Sequence, residues 1–184
     1  WPWSEGQRFS NASCGVSLAL DKRRFQESSL VGTWSPPSHL HGRRGASHVR
    51  KKGIFDFVFL VLYLLPRPQV GPERTAVDEL LHWAESLVQK LPARTTPMLF
   101  MDANARVGIS RDTTTGTAVG PLGAELETWS GQKLRQMLER TEMTLANTWW
   151  RSASGPTWTN RYNHTRLDYL AVPTSFYSHI VHMT

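Results

Sequence analysis

The feature that most constrains the fold is an apolar and aromatic run from residue 54 to residue 65, IFDFVFLVLYLL. The run shows little alternation between polar and apolar residues, and this pattern predicts a strand that is covered on both faces. It is too short for a membrane-spanning helix, which needs about 20 apolar residues. The sequence therefore predicts a covered sheet, and a transmembrane protein is excluded.

A helix and a second buried strand follow this run. Residues 74–91 carry apolar side chains at the spacing of a one-faced helix, and residues 97–101 form a short apolar run. This succession predicts a layered α/β protein, and 184 residues suit a single domain. Weaker patterns predict strands at 14–20, 28–35, 47–51, 143–148, 156–159, 166–172 and 176–183, a helix at 132–141, and loops at 36–46 and 109–128.

The chain is basic, with a formal net charge of +6. This charge fits a polyanionic partner such as nucleic acid, although many basic domains have no such partner. Five cations fall within ten residues and are candidates either for phosphate contacts or for a solvated loop and strand end: Arg43, Arg44, Arg50, Lys51 and Lys52. The single cysteine, Cys14, excludes an intramolecular disulfide and a cysteine-based zinc site.

A carboxylate and an amide follow the second buried strand. Asp102 and Asn104 are two residues apart on an extended segment, so we expect their side chains to point the same way. An aspartate can accept a proton from water, and an asparagine can donate to a phosphoryl oxygen. The same residue types also favour ordinary turns, and an Asx-rich turn is the alternative.

Two further polar residues stand in apolar segments. Asp168 lies in RLDYLAV, and a buried carboxylate needs a partner. That partner is either an arginine, such as Arg166, or a histidine that the carboxylate orients. Tyr63 lies near the end of the first buried run, where its hydroxyl either reaches a ligand or simply reaches solvent from the core.

Five segments, in this order, resemble those of the endonuclease/exonuclease/phosphatase superfamily, whose members cleave phosphoester bonds with a divalent metal. They are CGVSLALDKRRF, DFVFLVLYLLP, MLFMDANARVG, LANTWW with PTWT, and RLDYLAVP. The subtype that they resemble most is the apurinic-type endonuclease of non-LTR retroelements, with the related craniofacial-development-protein-2-like proteins. The resemblance covers nearly the whole chain and implies a DNase I-like α/β fold, a two-layered β-sandwich flanked by helices.

The resemblance also implies roles for four residues. Tyr63 would contact the phosphate, and Asp102 would position or deprotonate the attacking water. Asn104 would help to hold the phosphoryl group, and Asp168 would orient a catalytic histidine. The implied cofactor is Mg²⁺ or Mn²⁺, and the implied partner is DNA or another nucleic acid.

Two parts of the superfamily pattern have no match in this chain, namely the metal-binding glutamate and the terminal Ser-Asp-His segment. Glu5, His179 and His182 lack the surrounding pattern, so the metal ligands stay unassigned. We therefore expect one partial domain, 1–184, that is truncated at both ends.

Two functions stay open for this domain. The first is a metal-dependent phosphodiesterase of the endonuclease type, derived from a retroelement. The second is a catalytically inactive remnant that keeps the fold and a basic surface. A small-molecule or lipid phosphatase of the same superfamily is a third reading. We expect no membrane attachment and no oligomer, and the compartment inside the cell stays open, with the nucleus as one candidate.

Overall fold

The structure, a computed structural model, describes residues 16–35, 40, 42–69, 71–108, 118–122, 125–153 and 155–180. These residues contain the following helices and strands: β1 (Leu30–Trp34), β2 (Arg44–Lys51), β3 (Phe55–Tyr63), α1 (Pro72–Gln89), β4 (Thr96–Asp102), α2 (Trp129–Arg140), β5 (Met143–Leu145), β6 (Trp158–Thr159), β7 (His164–Thr165) and β8 (Asp168–Pro173). Neither helix combines the length and the apolar character that crossing a bilayer requires.

Six of the strands form one mixed sheet in the order β1–β2–β3–β4–β8–β5. Only β3 and β4 run parallel, and α1 connects them, because a parallel pair needs a crossover connection. The other neighbouring pairs are antiparallel. Strands β6 and β7 form a separate antiparallel hairpin. This arrangement confirms the predicted α/β class.

One face of the sheet packs against the two helices. Alternate residues of β3, Val58, Leu60 and Leu62, are fully buried and belong to the same apolar cluster as Leu80 of α1 and Leu134 of α2. The apolar residues whose spacing predicted the two helices are therefore the residues that pack against the sheet.

The other face of β3 carries an aromatic ladder. Phe55 and Phe57 stack with their ring centroids 5.6 Å apart, and Phe59 continues the ladder at 5.9 Å. Phe25 and Phe100 flank these rings. Both faces of β3 thus carry apolar side chains, which explains the missing alternation. The predicted cover on both faces is complete only on the helix side, because Phe55, Phe57 and Val61 on the other face are only partly buried. In the described residues, this six-stranded sheet is the only large sheet of the expected sandwich.

Some predicted elements need correction. Residues 16–20 form no named strand, and residues 14–15 lie outside the described part. Strand β2 begins at Arg44, within the predicted loop 36–46, because its whole length pairs with β3. The strand predicted at 176–183 is a short 3₁₀ helix at Tyr177–His179, followed by Ile180, and residues 181–184 lie outside the described part.

The strand predicted at 143–148 ends early for a visible reason. β5 stops at Leu145, and residues 146–148 form a 3₁₀ helix. The side chain of Asn147 donates to the carbonyl of Asp168 at 3.0 Å and accepts the N–H of Leu170 at 3.3 Å. A side-chain amide thus occupies the edge of β8 that a longer β5 would have paired with.

Candidate active site

Three of the sequence-predicted residues lie side by side at one end of the sheet. Tyr63 of β3 is the register partner of Asp102 of β4, and Asp102 is the register partner of Asp168 of β8. Side chains of directly paired residues point to the same face of a sheet, about 5 Å apart. These three residues, called here the active-site row, are therefore brought together by strand order although they are distant in sequence.

Asn104 stands just beyond the row, in the turn that follows β4. Its φ of 44° lies in the left-handed region, which asparagine tolerates better than most residues. Its backbone N–H donates to Oδ1 of Asp102 at 3.1 Å, and its Nδ2 donates to the carbonyl of Leu64 at 3.0 Å. The Asx turn, which was the alternative explanation for this pair of residues, is thus present, and it holds the amide of Asn104 next to the carboxylate of Asp102.

The two carboxylates of the row differ in their surroundings. Asp102 is half-buried, and this burial raises its pKa, with the nearby charge of Asp168 adding to the effect and the N–H of Asn104 opposing it. Asp168 is exposed at the start of β8. The prediction of a buried Asp168 is therefore wrong, because the first residue of β8 is exposed to solvent and lies beside an open groove.

The backbone of Asp168 is nevertheless firmly held. The hydroxyl of Thr157 accepts the N–H groups of both Leu167 and Asp168 at 3.0 Å. Arg166 does not pair with this carboxylate: it is buried and donates to the carbonyls of Gly155 and Leu122. Of the two partners weighed for Asp168, the arginine is thus excluded.

A groove of about 900 Å³ opens beside the row and Asn104. Its walls include Asp102, Asn104 and Asp168, and Trp158 of the segment PTWT also lines it. Three further lining residues, Arg67, Arg106 and His164, were not singled out from the sequence. Each of the three lies in a polar segment that follows a strand. That position is the only signal that could have found them.

Similarity to solved structures identifies the fold of the chain. No protein-family model matches the sequence, and no curated protein matches it significantly. Among solved structures, the endonuclease domain of TRAS1, a telomere-specific non-LTR retrotransposon, is similar with a TM-score of 0.51 and 16% identity. The alignment covers 81% of this chain and 58% of that one.

The 3′ phosphatase NExo from Neisseria, bound to a product DNA hairpin, is similar with a TM-score of 0.55 and 11% identity, over 81% of this chain and 60% of that one. The chain therefore has the same α/β fold as these two structures, the DNase I-like fold. It spans less than two thirds of the length of each of these two proteins.

The five cations near residue 47 do not form one surface. Arg43 lies over the ring of Tyr63, 5.1 Å from its centroid, next to the active-site row. Arg44 is only 3% exposed; its guanidinium lies 4.7 Å from the centre of the Trp83 ring and donates to the carbonyl of Glu79. The prediction that Arg44 belongs to an exposed cluster is therefore wrong, because β2 turns this side chain toward α1.

The remaining three cations, Arg50, Lys51 and Lys52, are exposed at the far end of β2. A strand rises about 3.4 Å per residue, so Lys51 lies about 24 Å from Arg44 along β2. The basic cluster of the sequence is thus divided between the two ends of the sheet.

The histidine that the superfamily pattern would place against Asp168 is not found among the described residues. His179 stacks on Phe176, with ring centroids 5.6 Å apart, and does not line the groove. His182 lies outside the described residues. His164 is the only histidine of the described part that lines the groove, and its Nδ1 lies 3.2 Å from the hydroxyl of Thr159.

The described residues do not fit a complete divalent-metal site. In the part of the chain that the structure covers, no three side chains of the types His, Cys, Asp and Glu come together. Asp102 and Asp168 are the only such pair at the row, and Glu5 lies outside the described residues.

Proposed function

We propose that this chain, as one partial domain over 1–184, is a phosphodiesterase of the endonuclease type that cleaves DNA and derives from a retroelement protein. The observation that supports this most is the active-site row, with two carboxylates and a phenol on neighbouring strands at the open end of the sheet. Asn104 and a groove with two arginines on its rim adjoin this row.

Asp102 is suited to take a proton from an attacking water. Burial and the charge of Asp168 raise the pKa of Asp102, and a general base works better as its pKa approaches the working pH. Asn104 has a second amide hydrogen besides the one bonded to Leu64, and Tyr63 has a hydroxyl. Both are donors that would stabilise the charge that develops on a phosphoryl oxygen.

The groove favours a polyanionic substrate. Arg67 and Arg106 on its rim would contact backbone phosphates, which supply most of the affinity in DNA binding. Arg50, Lys51 and Lys52 remain a second candidate surface for phosphates, at the opposite end of the sheet. Both similar structures come from proteins whose names refer to nuclease or DNA phosphatase activity, and one of them holds a DNA hairpin.

The test is the nicking of supercoiled plasmid by the purified 184-residue chain in Mg²⁺ and, separately, in Mn²⁺. Asp102→Asn keeps the shape of the side chain and removes the base, so we expect nicking to fall by about 10²- to 10⁴-fold. Asp78→Asn is the matched control, because Asp78 lies on α1, forms an exposed ion pair with Lys133 and does not line the groove. Equal nicking by wild type and Asp102→Asn would refute the proposal.

The second candidate is a catalytically inactive remnant of the same domain. It is favoured by the incomplete set of metal-binding side chains in the described residues. A ligand that binds only the native state raises the melting temperature. A chain that binds DNA, does not nick it, and melts at the same temperature in 10 μM and in about 10 mM Mg²⁺ would support the remnant.

A further inference from the structure

The side chain of Tyr169 links the loop after β4 to the segment that enters β8, next to two residues of the active-site row. It follows Asp168 in β8, but it points to the opposite face of the sheet, where it is 5% exposed. Its hydroxyl accepts the N–H of Val107 at 3.3 Å, and it lies 3.2 Å from the carbonyl oxygen of Ala105 and 3.0 Å from that of Arg166. The phenol thus connects the loop after β4 to the entry of β8.

The hydroxyl of Tyr169 works as a fixed donor and acceptor. A phenol has one proton, so it donates to one of the two carbonyls at a time while it accepts from Val107. Burial raises the pKa of Tyr169 to about 12, so the group keeps its proton throughout the physiological range. It therefore takes no part in proton transfer, and a role in placing the backbone remains.

The start of α2 also binds the loop after β4, through hydrogen bonds between Thr128 and Arg106. The N–H of Arg106 donates to Oγ1 of Thr128 at 3.2 Å, and the carbonyl of Arg106 accepts the N–H of Thr128 at 3.1 Å. Gly131 packs so closely that a Cβ at this position would overlap the carbonyl oxygen of Arg106. The loop is thus clamped between α2 at Arg106 and Tyr169 at the residues on either side of it.

Asn104 directly precedes the clamped residues. Its φ of 44° lies in the left-handed region, which asparagine tolerates but which still costs free energy, so the contacts of the following residues help to fix it. In this conformation the N–H of Asn104 points at Oδ1 of Asp102, and such a hydrogen bond favours the charged carboxylate. If the following residues could shift, the N–H would lose this direction.

We propose that Tyr169 is a positioning residue of the active site: its hydroxyl fixes the loop 103–107 so that the N–H of Asn104 stays on Asp102. The catalytic meaning of this role rests on the proposed function, whereas the positioning itself does not. Asp102 faces Asp168 on β8 and Tyr63 on β3. The other charged or titratable residues in its groove are Arg67, Arg106, Glu125 and His164, and none of these residues is replaced in the variants that test the role.

The experiment compares Tyr169→Phe, which removes only the hydroxyl, with a matched control. Thr144→Val also removes a buried hydroxyl, one that accepts from the indole N–H of Trp149 at 2.8 Å and lies 3.4 Å from the carbonyl oxygen of Ala118. The readout is the pKa of Asp102, followed by the ¹³Cγ resonances of the six aspartates in a metal-free pH titration. The Asp102 resonance is assigned by its loss in Asp102→Asn.

We expect the pKa of Asp102 to rise by about half a unit to one unit in Tyr169→Phe and to stay at the wild-type value in Thr144→Val. In the nicking assay, Tyr169→Phe should lower kcat by about tenfold or more and leave KM nearly unchanged. An unchanged Asp102 pKa in folded Tyr169→Phe would overturn the inference. If the pKa rises but even the wild type does not nick DNA, the positioning role stands and the proposed function fails.

A second variant covers the case in which Tyr169→Phe does not fold. Thr128→Ala loosens the same loop from the side of α2. A rise of the Asp102 pKa in this variant supports the clamp, and an unchanged value overturns it.

Discussion

Two aspartates at opposite ends of the central strands have pKa values shifted in opposite directions. At the start of β3, Asp56 is 11% exposed, with Nε2 of His48 at 2.6 Å and Nε of Arg94 at 3.2 Å from its oxygens. Burial alone would raise the pKa of Asp56, but hydrogen bonds from partners including His48 and Arg94 bring it below its usual value. At the other end, Asp102 faces Asp168, and its pKa is raised.

This difference separates a carboxylate that stabilises the fold, Asp56, from Asp102, which remains a candidate for chemistry. Asp56 gains partners on folding, so its charge stabilises the native state. In the described residues, Asp102 gains no cationic partner and stands beside a second acid instead. Carboxylates with raised pKa values in a groove are candidates for function because their surroundings disfavour the charge that they carry. The two aspartates therefore differ in the groups that surround them, and burial alone does not account for the opposite directions of their pKa shifts.

The largest effect on stability is expected at the functional end, from Gly131→Ala. Alanine normally favours a helix over glycine by about 1 kcal/mol. Here its Cβ would overlap the carbonyl oxygen of Arg106, so we expect a net loss of about 3 kcal/mol in the free energy of unfolding. Gly155→Ala is the matched control, because nothing lies within 4 Å of a Cβ there. Urea denaturation measures both, and equal stabilities would disprove the close approach of the loop and α2.

Asp56→Asn tests the structural end. Removing the charge weakens the bonds to His48 and Arg94, and we expect a loss of about 2 kcal/mol at pH 7. Asp78→Asn breaks an exposed pair with Lys133 and should cost under about 1 kcal/mol. A loss no greater than that of Asp78→Asn would mean that the partners of Asp56 contribute little to the fold.

Thr128→Ala removes the N-cap of α2. The hydroxyl of Thr128 accepts the N–H of Gly131 at 3.3 Å, and losing such a cap costs about 1 kcal/mol. Thermal and urea denaturation both measure this loss. A variant as stable as the wild type would show that the loop, rather than the cap, holds the start of α2.

The smallest effect has the opposite sign. The pKa of Asp102 is raised on folding, so its carboxylate destabilises the native state at neutral pH, and Asp102→Asn should be slightly more stable than the wild type at pH 7. This gain should vanish as the pH falls below about 4, where the aspartate is protonated in the unfolded chain as well. For Asp56, whose pKa is lowered, stability is instead lost as the pH falls below about 4. A less stable Asp102→Asn at pH 7 would contradict the contrast between the two ends.

The sequence predicted the strands that carry the row because burial and pairing leave strong patterns. β3, α1 and β4 were readable from apolar spacing, and parallel pairing then places Tyr63 next to Asp102. The antiparallel pairing of β4 with β8 that brings in Asp168 is a tertiary contact, which no local pattern encodes.

The sequence could not place the charged residues in the same way. Arg44 and Arg50 are six positions apart, but a strand carries one toward α1 and the other to the far end of the sheet. The groove residues Arg67 and Arg106 lie in the loops that follow β3 and β4, and His164 lies in the small hairpin of β6 and β7; tertiary contacts bring them together. The clamp at Tyr169 was equally hidden, because its hydroxyl bonds only to backbone groups.

One measurement tests the central claim most directly, namely which end of the sheet meets DNA. A short DNA duplex is titrated into ¹⁵N-labelled protein in metal-free buffer, and the amide shifts are mapped onto the chain. The account predicts changes concentrated at residues 102–106 and 164–168, around the row and its groove. Changes confined to residues 48–56, where His48 and Asp56 pair and Arg50, Lys51 and Lys52 are exposed, would contradict it.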